Sequence, residues 1–165
     1  PALYGLLVLY YGWRTFVHRR LSAKLPSKDP ERSEGDVYTL LPTLSLNRWN
    51  VVKKTADGHY GIGEWENGRL VWLERTRCDQ HPAVEASKSN KDVQAFLNVT
   101  PFPCGHVKAQ SWGYEVRWID IRYRHRRQYP FVAVVLMDSS YVPFQSFVGW
   151  LSDDRLEKRL RMNTY

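Results

Sequence analysis

The chain has 165 residues, with 24 Lys and Arg against 17 Asp and Glu, and a formal net charge of +7. This length predicts one domain, and 43% hydrophobic with 25% charged residues excludes a disordered chain or a collagen-like fibre. Two Cys residues are too few for the disulfide framework of a small secreted protein, so we expect a reducing compartment.

The chain begins with an apolar stretch that is followed abruptly by basic residues. The first thirteen residues carry no charged side chain, and the next seven include Arg14, His18, Arg19 and Arg20. Thirteen residues are too few to cross a bilayer, since a spanning helix needs about 20. We prefer to interpret residues 1–21 as the end of a transmembrane or membrane-proximal helix, with its basic residues on the cytoplasmic side. The alternative is an amphipathic helix that packs on the domain and leaves Arg14, His18 and Arg19 in water.

Residues 22–36 have the composition of a linker. They are polar and include Pro26, Pro30 and Gly35, which favours a stiffened tether of about fifteen residues. We therefore predict a single extramembrane domain over residues 37–165.

The domain begins with a predicted meander of three strands, over residues 44–54, 59–65 and 69–77. Asp57-Gly58 and Asn67-Gly68 separate these strands, and both pairs are typical of type I′ hairpin turns, which need positive φ at both central residues. Gly61 and Gly63 leave gaps on one face of the middle strand, which favours a sharply bent strand or a large neighbour such as Trp49 or Trp72.

A helix and three more strands are predicted next. Pro82 and the helical spacing of Val93, Phe96 and Leu97 predict one helix over residues 81–98. Strands are predicted over 106–110, 114–124 and 130–138. A bulge is predicted between Trp118 and Ile119, where the apolar residues change from even to odd positions. A short C-terminal helix is predicted over 152–160. The expected fold class is α+β: a curved antiparallel sheet of about six to seven strands, one helix packed on it, and helices at both termini.

Three motifs resemble the soluble C-terminal half of a bacterial family of inner-membrane, metal-dependent hydrolases (YdjM/YfhP-like). They are Pro-Thr-Leu-Ser-Leu-Asn-Arg-Trp at 42–49, the segment 96–103 that ends in Pro-Phe-Pro, and Asp-Ile-Arg-Tyr at 120–123. In that family transmembrane helices come first and contain the His and Asp metal ligands, so no ligand position transfers to this chain. The resemblance implies a domain that faces the cytoplasm at the bacterial inner membrane. It implies the upstream transmembrane half as a partner and a divalent metal only in the full-length protein.

The resemblance therefore favours a binding or regulatory role for this chain rather than catalysis. No arrangement of nucleophile, His and acid is recognisable in the sequence, so it identifies no catalytic residue and leaves open whether the chain is an enzyme. The sequence implies no cofactor for this chain itself.

Cys78, His81, Cys104 and His106 are the candidate metal ligands. A Cys₂His₂ set binds Zn²⁺ tetrahedrally if the intervening helix brings both pairs together. Only one residue separates Cys104 from His106, which is shorter than the usual spacing of paired ligands, so two ordinary thiols and two loop histidines are favoured.

A basic and aromatic run over residues 117–129 is the candidate surface for an anion or a lipid. Its candidate contacts are Arg122, Arg124, Arg126 and Arg127. A solvated turn is favoured, then an anionic lipid surface near which a tether holds the domain, and nucleic acid is the least favoured partner. Asp120 and Arg122, two positions apart, are expected on the same face of the sheet. There a structural ion-pair network with Glu115 and Arg117 is favoured over an anion site.

Three aromatic residues are the candidate lining of an apolar ligand site on the concave side of the sheet. They are Trp49, Tyr60 and Trp72. The sequence does not separate this site from an aromatic core.

Overall fold

A computed structural model describes residues 2–123 and 131–150, so the predicted helix over 152–160 lies outside the described residues. The helices are α1 (Ala2–Lys28), α2 (Pro82–Ser87) and α3 (Lys91–Val99). The strands are β1 (Val37–Pro42), β2 (Arg48–Lys54), β3 (His59–Glu66), β4 (Arg69–Arg77), β5 (Pro103–Gln110), β6 (Gly113–Asp120), β7 (Phe131–Met137) and β8 (Pro143–Trp150). A 3₁₀ turn follows β6 at Ile121–Tyr123.

The strands form two antiparallel sheets, in the orders β1-β2-β3-β4 and β5-β6-β7-β8. The α+β class and the N-terminal helix are confirmed, but the strands lie in two sheets rather than in one curved sheet. The chain divides accordingly into two compact units, residues 1–76 and 77–165, where one domain was expected. Hairpin signals specify which consecutive strands pair, and they do not specify whether two meanders share an edge.

The two predicted hairpins of the first unit are confirmed, but only one has the predicted turn. Asn67 and Gly68 both have positive φ (50° and 80°), as a type I′ turn requires. In the first hairpin only Gly58 has positive φ (83°), and its N–H donates to the carbonyl of Thr55 at 3.0 Å. This is a type I turn followed by a bulge glycine, which closes a hairpin with one more residue.

One face of the first sheet forms the core of unit 1. Trp49, Val51 and Trp65 lie on this face, and Leu25 from α1 packs on them and is fully buried. Residues 22–28 therefore continue α1 rather than begin a tether, because burial of an apolar side chain holds the last turns of the helix.

Trp72 fills the gap that the two glycines of β3 leave. A Cβ on Gly63 would lie 2.8 Å from Trp72 Cε3 and 2.7 Å from the carbonyl oxygen of Val71, and one on Gly61 would lie 3.2 Å from the indole. The predicted large neighbour of Gly61 and Gly63 is confirmed.

Unit 2 packs two short helices on its sheet, where one helix was predicted. The helices are separate because Asn90 begins a new one: its side chain accepts hydrogen bonds from the N–H groups of Asp92 and Val93. Val93 and Phe96 then enter the core with Val116 and Trp118.

The predicted bulge between Trp118 and Ile119 is absent, since both residues continue the regular register with β7. The apolar residues change from even to odd positions because both faces of β6 are covered. Trp118 packs towards the helices, whereas Ile119 packs against a second cluster with Val132 and Val134.

Candidate functional site

The first half of α1 carries a large apolar surface, which we call the apolar half-helix (residues 3–13). Its exposed side chains are Leu3, Tyr4, Leu6, Leu7, Val8, Leu9, Tyr10, Tyr11 and Trp13. Four consecutive residues, 6–9, are each 45–71% exposed, and four consecutive residues cover about 300° of a helix. The apolar half-helix is therefore exposed on every face rather than along one stripe.

Arg14 fixes α1 to the first sheet directly after the apolar half-helix. Its guanidinium donates to the carbonyl oxygens of Thr43, Ser45 and Leu46 at 3.1–3.3 Å and lies 4.1 Å from the Trp49 ring. Arg14 is buried, so the expectation that it stands in water is wrong. Three carbonyl dipoles and an indole face compensate the cost of burying its charge.

A cavity of about 360 Å³ lies beside this contact. Tyr10, Tyr11, His18 and Trp49 are among its lining residues, and His18 Nε2 is 3.3 Å from the carbonyl oxygen of Leu40. The remaining cations of α1, which are Arg19, Arg20, Lys24 and Lys28, are exposed. Within the described residues, no helix combines the length and the apolar character that crossing a membrane requires.

Unit 1 also contains a buried ionic cluster centred on Lys53. Lys53 Nζ lies 2.8 Å from Asp29 Oδ2, 2.7 Å from Asp36 Oδ2 and 2.6 Å from the carbonyl oxygen of Glu31. Three acceptors match the three protons of the ammonium group, so Lys53 has no proton left for a ligand. Both carboxylates are almost fully buried. Because two carboxylates face one ammonium group, the cluster carries one surplus negative charge.

The pKa values of the cluster show how strongly the charged forms are held. Burial opposes the ionisation of Asp29, but hydrogen bonds from Lys53 and Tyr38 outweigh it and lower the pKa of Asp29 to about 2. Burial would also lower the pKa of Lys53, whereas its bonds to Asp29 and Asp36 raise it above its ordinary value. Burial and the hydrogen bond to Asp29 raise the pKa of Tyr38 to about 12.

A second cavity of about 230 Å³ adjoins the cluster and is lined in part by Trp72, His59 and Arg75. His59 Nδ1 lies 2.8 Å from Asp57, and hydrogen bonds from Thr55 and from His59 lower the pKa of Asp57 to about 2. Arg75 pairs with Glu31 at the rim. Most of the charged side chains that line this cavity pair with one another. The cavity therefore presents an indole wall and a His–Asp pair, and it does not present an open site for an anion or a metal.

The three predicted ligand-lining residues do not share one surface. Trp49 and Trp72 lie on the same face of the first sheet, where Trp49 is buried under Arg14 and Trp72 covers the two glycines of β3. Tyr60 stands opposite Lys54 in the register, so alternation along β3 places it on the other face from Gly61. Tyr60 and Trp72 do border the same cavity, which Trp49 does not.

Three of the four candidate zinc ligands, Cys78, Cys104 and His106, lie close together, but they do not form a metal site. Cys78 and Cys104 are joined by a disulfide, which removes both thiolates from metal binding, and His81 caps α2 by accepting from the N–H of Ala83. Among the described residues, no three His, Cys, Asp or Glu side chains are arranged to hold a metal. The two cysteines meet, as a zinc site would have required, but their sulfurs are bonded to each other, so the favoured expectation of two reduced thiols is wrong.

Asp120 and Arg122 pair as predicted. Asp120 is buried, and the Arg122 guanidinium donates to it at 2.6–3.1 Å. The hydrogen bond to Asp120 raises the pKa of Arg122. Arg117 pairs separately with Glu115 at 2.7 Å. Arg124, Arg126 and Arg127 lie outside the described residues, so their predicted anion or lipid contacts stay predictions.

Comparisons with known proteins agree with one part of the resemblance. Residues 82–160 match a protein family described as the YfhP C-terminal alpha/beta plait domain. The chain is similar to the uncharacterized protein YfhP of Bacillus subtilis strain 168, with 30% identity over 167 residues, 99% of this chain and 50% of the relative. The chain thus spans about half the length of that relative. No solved structure matches it significantly.

Proposed function

We propose that this chain is the C-terminal, membrane-proximal binding or regulatory domain of a bacterial inner-membrane protein, facing the cytoplasm. In this proposal the apolar half-helix lies in the bilayer, and the first sheet of unit 1 lies directly next to it. Any metal-dependent hydrolysis, with its divalent metal, would belong to an upstream half of the full-length protein, since the chain spans about half the length of its relative.

The observation that carries the proposal is exposure of the apolar half-helix on all faces. A helix that docks in a protein groove needs one apolar stripe, whereas a helix surrounded by acyl chains is apolar all round. The apolar half-helix, residues 3–13, extends about 16 Å, which matches the roughly 15 Å of hydrocarbon in one leaflet. The bilayer is therefore the occupant that fits this surface.

The order of residues along α1 supports the orientation. Tyr10, Tyr11 and Trp13 end the apolar half-helix, and such aromatic residues are enriched at membrane interfaces. The exposed cations Arg19, Arg20 and Lys24 come next and would meet anionic headgroups at about 1 kcal/mol each.

The alternative is a soluble module that binds anionic lipid or nucleic acid through residues 117–129. Arg117 and Arg122 are each paired with a carboxylate, so they contribute little net positive charge to that surface. The described part of the run therefore supports the alternative less than α1 supports membrane insertion.

Vesicle flotation tests the proposal. The chain is expected to float with phosphatidylcholine vesicles and to float more strongly when phosphatidylglycerol is added. Leu9→Glu is expected to weaken binding roughly tenfold to a hundredfold, because it puts a charge into the acyl phase. The matched control is Val71→Glu, which adds the same charge at an exposed strand position.

Two results would reject membrane insertion. One is failure of the parent chain to float with either vesicle. The other is equal flotation of Leu9→Glu and Val71→Glu on anionic vesicles with complete release by salt, which would favour the basic run instead.

A further inference from the structure

The Cys78–Cys104 disulfide lies next to a histidine and a carboxylate that its structural role does not require. His106 Nε2 is 3.7 Å from Cys104 Sγ, and the other ring nitrogen is 3.9 Å from Asp79 Oδ1. Asp79 is itself held against β5, since its N–H donates to Gly105 at 2.9 Å and its Oδ2 accepts from Val107 N–H at 2.8 Å.

The two cysteine residues differ in exposure. Cys104 is completely buried, whereas Cys78 is partly exposed. An incoming thiolate therefore reaches Cys78, and Cys104 is the sulfur that must leave. A buried thiolate is unfavourable unless a cation or a hydrogen-bond donor stands beside it, and the His106 imidazole occupies that position.

From this geometry we infer that Cys78–Cys104 is a redox-active disulfide that exchanges with low-molecular-weight thiols. The thiolate of the first thiol forms a bond to Cys78 Sγ, and the bond between the two protein sulfurs breaks. Its electron pair remains on Cys104, and His106 either stabilises the resulting thiolate by pairing with it or donates a proton that converts it to a thiol. Asp79 is a positioning residue that orients the His106 ring.

A second thiolate completes the exchange. It attacks the external sulfur of the mixed disulfide, and the Cys78 thiolate leaves and takes up a proton. In total two external thiols are oxidised to one disulfide, and the protein disulfide gains two electrons and two protons. The reverse reaction consumes an external disulfide and restores the Cys78–Cys104 bond.

The residues of β6 that face Cys104 and His106 do not provide another group to stabilise the leaving sulfur. On β6, Ile119 stands opposite Cys104, and Arg117 stands opposite His106 but pairs with Glu115 at 2.7 Å. His106 is therefore the titratable group nearest to the leaving sulfur among these residues, and the inference does not depend on membrane insertion.

The rate of reduction by glutathione tests the exchange. The parent chain is expected to form a transient glutathione adduct on Cys78, located by mass spectrometry of peptides. His106→Gln is expected to slow reduction about tenfold, because the leaving thiol loses its stabilising partner. The matched control is Lys108→Gln, an exposed position two residues further along the same face of β5, which is expected to react as the parent does.

The ionisation of Cys104 gives a second measurement that does not depend on access to the sulfur. In Cys78→Ser, the ultraviolet absorbance of the Cys104 thiolate is expected to titrate below the ordinary thiol value of about 8.5, and in Cys78→Ser/His106→Gln above it. Three results would each overturn the inference: equal reduction rates in His106→Gln and Lys108→Gln, an adduct on Cys104, or a Cys104 titration that His106 does not affect.

Discussion

Replacement of Lys53 by Met tests whether the buried ionic cluster depends on its one cation. The change removes three hydrogen bonds of 2.6–2.8 Å and leaves the carboxylates of Asp29 and Asp36 buried side by side. Loss of one partner from a buried ion pair costs roughly 3–5 kcal/mol, and we expect unit 1 to be destabilised by that amount.

The structure indicates which carboxylate causes most of this loss. Asp29 keeps hydrogen bonds from Tyr38 and Trp72 when Lys53 is removed, whereas Asp36 keeps only the N–H of Ser33. Among the described residues Asp36 Oδ1 has no hydrogen-bond partner even in the parent chain. Lys53→Met/Asp36→Asn is therefore expected to recover more stability than Lys53→Met/Asp29→Asn.

Native-state hydrogen exchange of peptides from residues 48–66 measures the effect in unit 1 alone. A loss of roughly 3–5 kcal/mol corresponds to exchange faster by about a hundredfold to a few thousandfold. Lys54→Met is the matched control, because Lys54 is the next residue of β2 and its side chain is exposed. If Lys53→Met and Lys54→Met exchange at equal rates, the argument from buried charge is wrong.

Two further predictions concern the same unit. The pKa of Asp29 falls from an unfolded value of 3.8 to about 2, so its ionised form contributes about 2 kcal/mol that is complete above pH 5 and is lost as the pH falls from about 4 to 2. Acid unfolding followed by circular dichroism measures this loss. Gly63→Ala is expected to cost about 1–3 kcal/mol in urea unfolding, because the new methyl group would lie 2.7 Å from the carbonyl oxygen of Val71.

Each of these predictions has a control in the chain. Asp29→Asn removes one of the carboxyl groups with a lowered pKa and should reduce the pH dependence between 4 and 2, to which Asp36 and Asp57 still contribute; an unchanged acid transition would contradict the assigned pKa. Gly61→Ala should cost less than Gly63→Ala, because its Cβ would meet only side-chain atoms, the nearest of the Trp72 indole at 3.2 Å. The reverse order would show that the carbonyl of Val71 is not the obstacle.

Local signals predicted the features of the fold that depend on neighbouring residues. Asn67-Gly68 gave both the hairpin and its turn type, since both residues had to adopt positive φ. Gly61 and Gly63 indicated a large neighbour, and Trp72 is close enough in sequence for β3–β4 pairing to place it there. Asp120 and Arg122 pair as expected, although Arg122 lies in the 3₁₀ turn after β6 and not on the strand itself.

The features that the sequence did not predict depend on contacts between distant residues. Asp29 and Lys53 are 24 positions apart, and Arg14 and Thr43 are 29 apart, with no periodic pattern to connect them. The sequence placed Arg14 in one basic cluster with its neighbours. Composition does not show which cation of such a cluster will be hydrogen-bonded to backbone carbonyl groups. The division into two sheets is equally non-local, because it depends on which strand edges stay unpaired.

The position of Arg14 determines how close unit 1 would lie to the proposed bilayer. Arg14 is the first charged residue after the apolar half-helix, and its guanidinium is already fixed to Thr43 and Trp49 of the first sheet. The boundary between lipid and folded protein would then lie within one helical turn of Arg14, without the fifteen-residue tether that the sequence suggested. Because Leu25 anchors the far end of the same helix, the sheet of unit 1 would keep a fixed orientation to the membrane. A tethered domain would instead sample many orientations, so the two arrangements predict different degrees of lipid protection around Thr43 and Trp49.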